Sequence, residues 1–255
     1  MKKILLLAAC CLLFSACGGG GGSSGSGTTP TTPESTVPKE ISGTASQGAA
    51  LTGKAYLKDA KGAEINADIG TNGTFKFVVD NMTAPYMLKA GTIYSFAPAH
   101  GTANINPFTD LAAKIASNVT DLSTVYSNST GTIGSQLLAI QTKIQSTVDD
   151  LNSKISQVYQ KYGMTTSDQK NFMTGTVTIG QGVDALFDTF KITVASDGSI
   201  TMKTISDGAI IFTAKSSGSG TMTIVSENFS ANLPSSLAGS TVPASTNTGS
   251  ITVKW

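Results

Sequence analysis

Residues 41–62, ISGTASQGAALTGKAYLKDAKG, and residues 71–77, TNGTFKF, decide how this chain folds. Thr74-Phe75-Lys76-Phe77-Val78 alternates polar and apolar residues with period two, which puts every second side chain on one buried face of a strand. Asn72-Gly73 directly before it is a tight-turn dipeptide, because both residues tolerate the positive φ such turns demand. Ala60-Lys61-Gly62 supplies another turn. Working outward, Ile41–Ala45, Lys54–Leu57, Glu64–Ile69, Thr74–Val79, Tyr86–Ala90 and Thr92–Ala97 read as short strands. They predict a small antiparallel β-sandwich over residues 39–99.

Downstream the period changes. Asn106-Pro107 places a capping residue before a proline at the first helical position, and Phe108, Leu111, Ala112, Ile115 and Val119 follow at helical spacing. A longer helix is expected from about Ile133 to Tyr162, ended by Gly163. Its apolar residues repeat by heptads, with Leu137, Ile144, Leu151 and Val158 on one track and Val148, Ile155 and Tyr162 on the other. Gln141 is a polar break in the second track. Such a seam either packs on the protein's own first helix and sheet or serves as an assembly surface. Helix is thus expected across residues 100–174.

Residues 175–255 return to strands. Val183, Leu186, Phe187 and Phe190 make a short helical prelude. Lys191–Ala195, Ser199–Lys203, Ala209–Ala214, Thr221–Val225 and Ile251–Trp255 then read as strands, with Asp197-Gly198 and Asp207-Gly208 as hairpin turns. The expected class is α+β: an N-terminal antiparallel β-sandwich, a helical insert with one long helix, and a C-terminal antiparallel β segment.

The first residues carry an export signal. Lys2-Lys3 is a short positive region, Ile4 to Phe14 is apolar throughout, and Ser15-Ala16 are small. The apolar stretch falls short of the about 20 residues a permanent membrane span needs. Residues 1–16 therefore read as a signal peptide. Gly18 to Pro38, GGGGGSSGSGTTPTTPESTVP, is a low-complexity tether with too little apolar surface to offset its ordering entropy.

Two resemblances follow from these residues. Phe14-Ser15-Ala16-Cys17 resembles the lipobox of bacterial lipoproteins, with Phe14 where that pattern usually has Leu. The resemblance implies cleavage before Cys17, acylation of Cys17 with chains such as palmitate, and a lipid bilayer as partner. Gly18 rather than Asp after the cysteine implies outer-membrane sorting in a Gram-negative envelope. The run from Ile41 to Gly62 with TNGTFKF resembles the transthyretin-like sandwich of the carboxypeptidase regulatory-like domain, whose members are mostly non-catalytic. The wider layout is similar to that of proteobacterial lipoproteins.

Composition narrows function mainly by exclusion. Charged residues are 13% of the chain and net charge is +1, with all 17 basic residues lysine, so the arginine-rich basic face of a nucleic-acid reader is missing. Cys10, Cys11 and Cys17 all lie in the first segment, which leaves the body without thiol chemistry. His100 is the single histidine and sits in a Pro98-Ala99-His100-Gly101 loop, where an exposed side chain is the simplest reading. Metal and acid–base catalysis usually need more than this. Asp149 and Asp150 are helix neighbours about 100° apart and so do not face one another. Asp59, Asp68 and Asp80 lie at turns that explain them without a cation. No cofactor and no catalytic residue is expected; the enzymatic alternative is a Ser–Lys hydrolase without a recognisable motif, for which abundant Ser and Lys are the sole basis. The partner beyond the bilayer is an envelope protein or a glycan, and Tyr56, Tyr86 and Tyr94 are the candidate sugar platforms.

Overall fold

The strand periods build two facing sheets, and the helices then cover one of them from outside. The computed structural model describes residues 37–128, 131–161, 171–195, 199–205, 208, 210–216, 221–227 and 252–254. The chain is α+β. Its strands are β1 (Glu40–Thr44), β2 (Lys54–Asp59), β3 (Glu64–Asp68), β4 (Thr74–Val78), β5 (Tyr86–Ala90), β6 (Ile93–Ala97) and β7 (Gly101–Thr102). Helices α1 (Pro107–Ser117), α2 (Ser123–Tyr126), α3 (Thr132–Lys161) and α4 (Gly182–Thr189) follow. The chain then forms β8 (Phe190–Val194), β9 (Ile200–Thr204), β10 (Ile210–Ser216), β11 (Thr221–Glu227) and β12 (Thr252–Lys254).

Sheet one has the order β4-β1-β7 and sheet two the order β3-β2-β5-β6. Gly73 takes φ +76° in the turn entering β4, the left-handed conformation that the Asn72-Gly73 signal requires. β7 pairs parallel to β1 through Ile41↔Gly101 and Ser42↔Thr102, so β pairing runs slightly past the last expected strand. Ile41, Phe75 and Phe77 from sheet one join Ala55, Leu57, Leu88 and Ala90 from sheet two in one dry core between the layers.

The opposite face of sheet two meets the helices. Met87 and Phe96 join Phe108, Leu111, Ile115, Ile140 and Ile144 in a second core. Burial on both faces explains why β5 loses the half-exposed alternation seen in β4. α1 starts with a full capping box, in which Asn106 accepts from Phe108 and Thr109 N–H and Thr109 reaches back to the Asn106 N–H. α1 also covers the outer edge of β6. Asp110 accepts from the Tyr94 N–H at 3.0 Å and the Thr109 hydroxyl donates to the Tyr94 carbonyl at 2.9 Å.

The long helix differs from expectation in phase. Ile133, Leu137, Ile140, Ile144, Thr147 and Leu151 are buried, with spacings alternating between four and three residues. The second track is thus Ile133-Ile140-Thr147, and Gln141 faces solvent rather than interrupting the seam. Val148 is buried as well, because a stripe facing both α1 and sheet two is wider than a two-helix seam. Over this half the stripe packs inside the protein's own core. The side chains of Ile155 and Val158, and Tyr162 and Gly163 themselves, lie outside the described residues. α3 approaches the β2–β3 turn closely: a Cβ on Gly134 would lie 2.6 Å from the Ala60 carbonyl oxygen.

Strands β8 to β12 form an antiparallel sheet in the order β12-β11-β10-β9-β8. Phe190 and Met202, from β8 and β9, are buried in the helical core beside α4. The Asp197-Gly198 turn lies outside the described residues.

Candidate functional site

Cys17 lies outside the described residues. The three candidate tyrosines are separated by the pleat of sheet two. Tyr56 pairs with Lys89 and Lys89 with Tyr94, so these three side chains form a row on the helix-side face. Tyr86 pairs with Asp59 and Ala97 one step out of phase, and its ring is buried in the core between the sheets. The three rings therefore form no common platform.

The row is completed by a residue the sequence did not single out. Tyr126, in the single turn of α2, stands 5.8 Å from Tyr94 between ring centroids. Lys89 Nζ lies 4.3 Å from the Tyr126 ring centre and 5.1 Å from that of Tyr56, and Lys58 Nζ lies 4.6 Å from Tyr126. Lys58 also donates to the Tyr126 carbonyl at 2.7 Å. Burial, and then the neighbouring Glu64 carboxylate, push the Tyr126 phenol well above its ordinary value. Two lysines under the helix layer are thus tolerated because aromatic faces and a carbonyl replace their water. The arrangement clamps α2 to sheet two. A single helical turn has too little periodicity to flag Tyr126 in advance.

The carboxylates at turns are each engaged. Asp59, 2% exposed, accepts from the N–H groups of Lys61, Ala63 and Thr83. Asp68 pairs with Lys54 at 2.9 Å and Asp80 accepts from the Lys39 N–H. Asp184 on α4, 1% exposed, accepts from the Gly48 and Gly180 N–H groups and so ties the β1–β2 loop to α4. Asp188, one turn later, has its carboxyl raised by burial and by Asp184. His100 is exposed between β6 and β7. Among the described residues no group of three or more His, Cys, Asp or Glu is placed to hold a metal ion. Also among them, no helix is long and apolar enough to cross a membrane.

Asn104 and Asn106 fasten the turn at residues 172–175 to the rest. Asn104 accepts from the Thr44 N–H and donates to the Gly175 carbonyl at 2.8 Å, and Asn106 donates to the Phe172 carbonyl at 2.9 Å. Two depressions flank this turn. One, of about 760 Å³, is a shallow groove along the outer face of β1 and β4. The other, of about 190 Å³, is a more enclosed cleft between α3, the end of β6 and the turn itself. Its polar wall carries Gln145, Asp149 and Asn152 from one face of α3 and Asn171 from the turn, a group the sequence did not mark because only the fold brings Asn171 to that face.

Set against protein-family models, curated proteins and solved structures, the chain matches none of them.

Proposed function

We propose that this protein is a lipid-anchored lipoprotein of the bacterial cell envelope, held to a membrane through acylated Cys17 and acting by binding or as a surface-structural element. The observation that carries this reading is the order Lys2-Lys3, an apolar run to Phe14, then Ser15-Ala16-Cys17 and a glycine run. One acyl chain gives marginal attachment while two or more give stable attachment, at about 0.8 kcal/mol per buried CH₂. The tether from Gly18 to Pro38 then sets the body off the headgroups. The outer membrane is the proposed destination, from Gly18.

Binding rather than catalysis is supported by how the body spends its polar groups. Asp59, Asp184, Asn104 and Asn106 are all committed to backbone partners, where they hold loops instead of facing a substrate. The test is metabolic labelling with an alkyne-bearing fatty acid in a bacterial host. Wild-type protein should take up label and Cys17→Ser should not, at equal expression. Equal labelling of the two, or none in wild type, would refute the anchor.

A further inference from the structure

The enclosed cleft beside α3 has a chemistry that selects a ligand. Its volume is about 190 Å³. That is below the roughly 300–1,000 Å³ of sites for drug-sized molecules, and it suits one small ring. The floor is apolar: Phe96, Val148 and Met173 are 1%, 7% and 7% exposed.

The opposite wall is amide and carboxylate. Gln145 Nε2 donates to Asp149 Oδ1 at 2.9 Å, which fixes the carboxylate and leaves its second oxygen to accept. Asn171 is braced by Thr174, accepting from its N–H at 3.0 Å and donating to its hydroxyl at 2.7 Å. Asn152 also lines the cleft, and its Oδ1 is buried with no hydrogen-bond partner among the described residues. Among the described residues no lysine lines the cleft, and its charged group there is the Asp149 carboxylate.

An apolar floor under a rim of acceptors matches a ring with a C–H face and a hydroxyl edge. We propose that this cleft binds a single neutral sugar residue, its hydroxyls hydrogen-bonding to the Asp149 carboxylate and the Asn152 amide and its C–H face resting on Met173 and Val148. The inference deepens the reading of the body as a binding module and does not depend on the anchor. A free monosaccharide and the end of an envelope glycan share this chemistry.

Saturation-transfer NMR on the full-length mature protein in detergent micelles tests it. The probes are glucose, galactose and N-acetylglucosamine, their methyl glycosides, and putrescine as a cationic control for Asp149. At least one neutral sugar should bind. Acceptance of its methyl glycoside marks a chain end, and rejection marks a free sugar. Asn152→Leu removes the unpaired acceptor, and Gln145→Trp crowds the rim from an exposed helix position. Each should weaken binding at least tenfold with an unchanged melting curve, and either folded variant decides the matter alone. No sugar binding, binding of putrescine alone, or wild-type binding in the folded variants would overturn the proposal. Sugar binding lost with Cys17 acylated sinks this inference only, and sugar binding retained with Cys17 unmodified sinks the anchor only.

Discussion

The two faces of sheet two are built from the same strands on opposite principles. Toward sheet one, Ala55, Leu57, Leu88 and Ala90 are all at most 1% exposed and make a dry aliphatic layer. Toward the helices, Met87 and Phe96 share the surface with Lys58 and Lys89, whose ammonium groups lie against tyrosine rings. The first face is held by packing alone and has no tolerance for lost volume. The second is amphipathic, and a polar group survives there wherever an aromatic face or carbonyl covers it. A strand buried on both sides can therefore carry lysine, Lys58 with Glu64 at 3.9 Å and the Tyr126 ring and carbonyl, Lys89 against the rings of Tyr56 and Tyr126.

Substitutions should separate the faces, beginning with the largest effect. Leu57→Ala and Leu88→Ala, each fully buried, should cost about 2–5 kcal/mol in urea unfolding, since the dry layer cannot collapse around a cavity. Asn106→Ala removes a helix cap and a buried donor to Phe172, and should cost about 2 kcal/mol by the same measurement. Lys89→Ala, on the mixed face, should cost only about 1 kcal/mol. A loss as large as that at Leu88 would erase the contrast between the faces.

The smallest effect is a pH dependence. Tyr126 has its phenol raised from 10.0, so the folded state holds this proton more tightly than the unfolded state does. That contribution is fully present below pH 10.0 and is lost as pH climbs above it. Wild-type stability should therefore fall more steeply in alkali than that of Tyr126→Phe, when followed by circular dichroism. Parallel curves would show that Tyr126 is not the group responsible.

The sequence revealed most where a short period met a turn signal. β4 and its Asn72-Gly73 turn, and the Asn106-Pro107 start of α1, were legible because one or two residues impose the local geometry. The phase of α3 was harder. Leu137 has Ile140 at one helical neighbour position and Gln141 at another, and choosing between them required weighting Ile133 and Ile140 over the more distant Ile155. The faces of the tyrosines were hidden for a different reason. Whether Tyr86 shares a face with Tyr56 and Tyr94 depends on strand register, and a slip of one residue reverses every side chain. The cleft was not legible at all, because Asn152 and Asn171 meet only through the tertiary fold.

Intact-mass spectrometry of the protein purified from membranes tests the anchor most directly. The expected result is a chain starting at Cys17 whose N-terminal peptide carries the added mass of acyl chains. A chain with a free thiol at Cys17, or one still starting at Met1 without acyl mass, would contradict it.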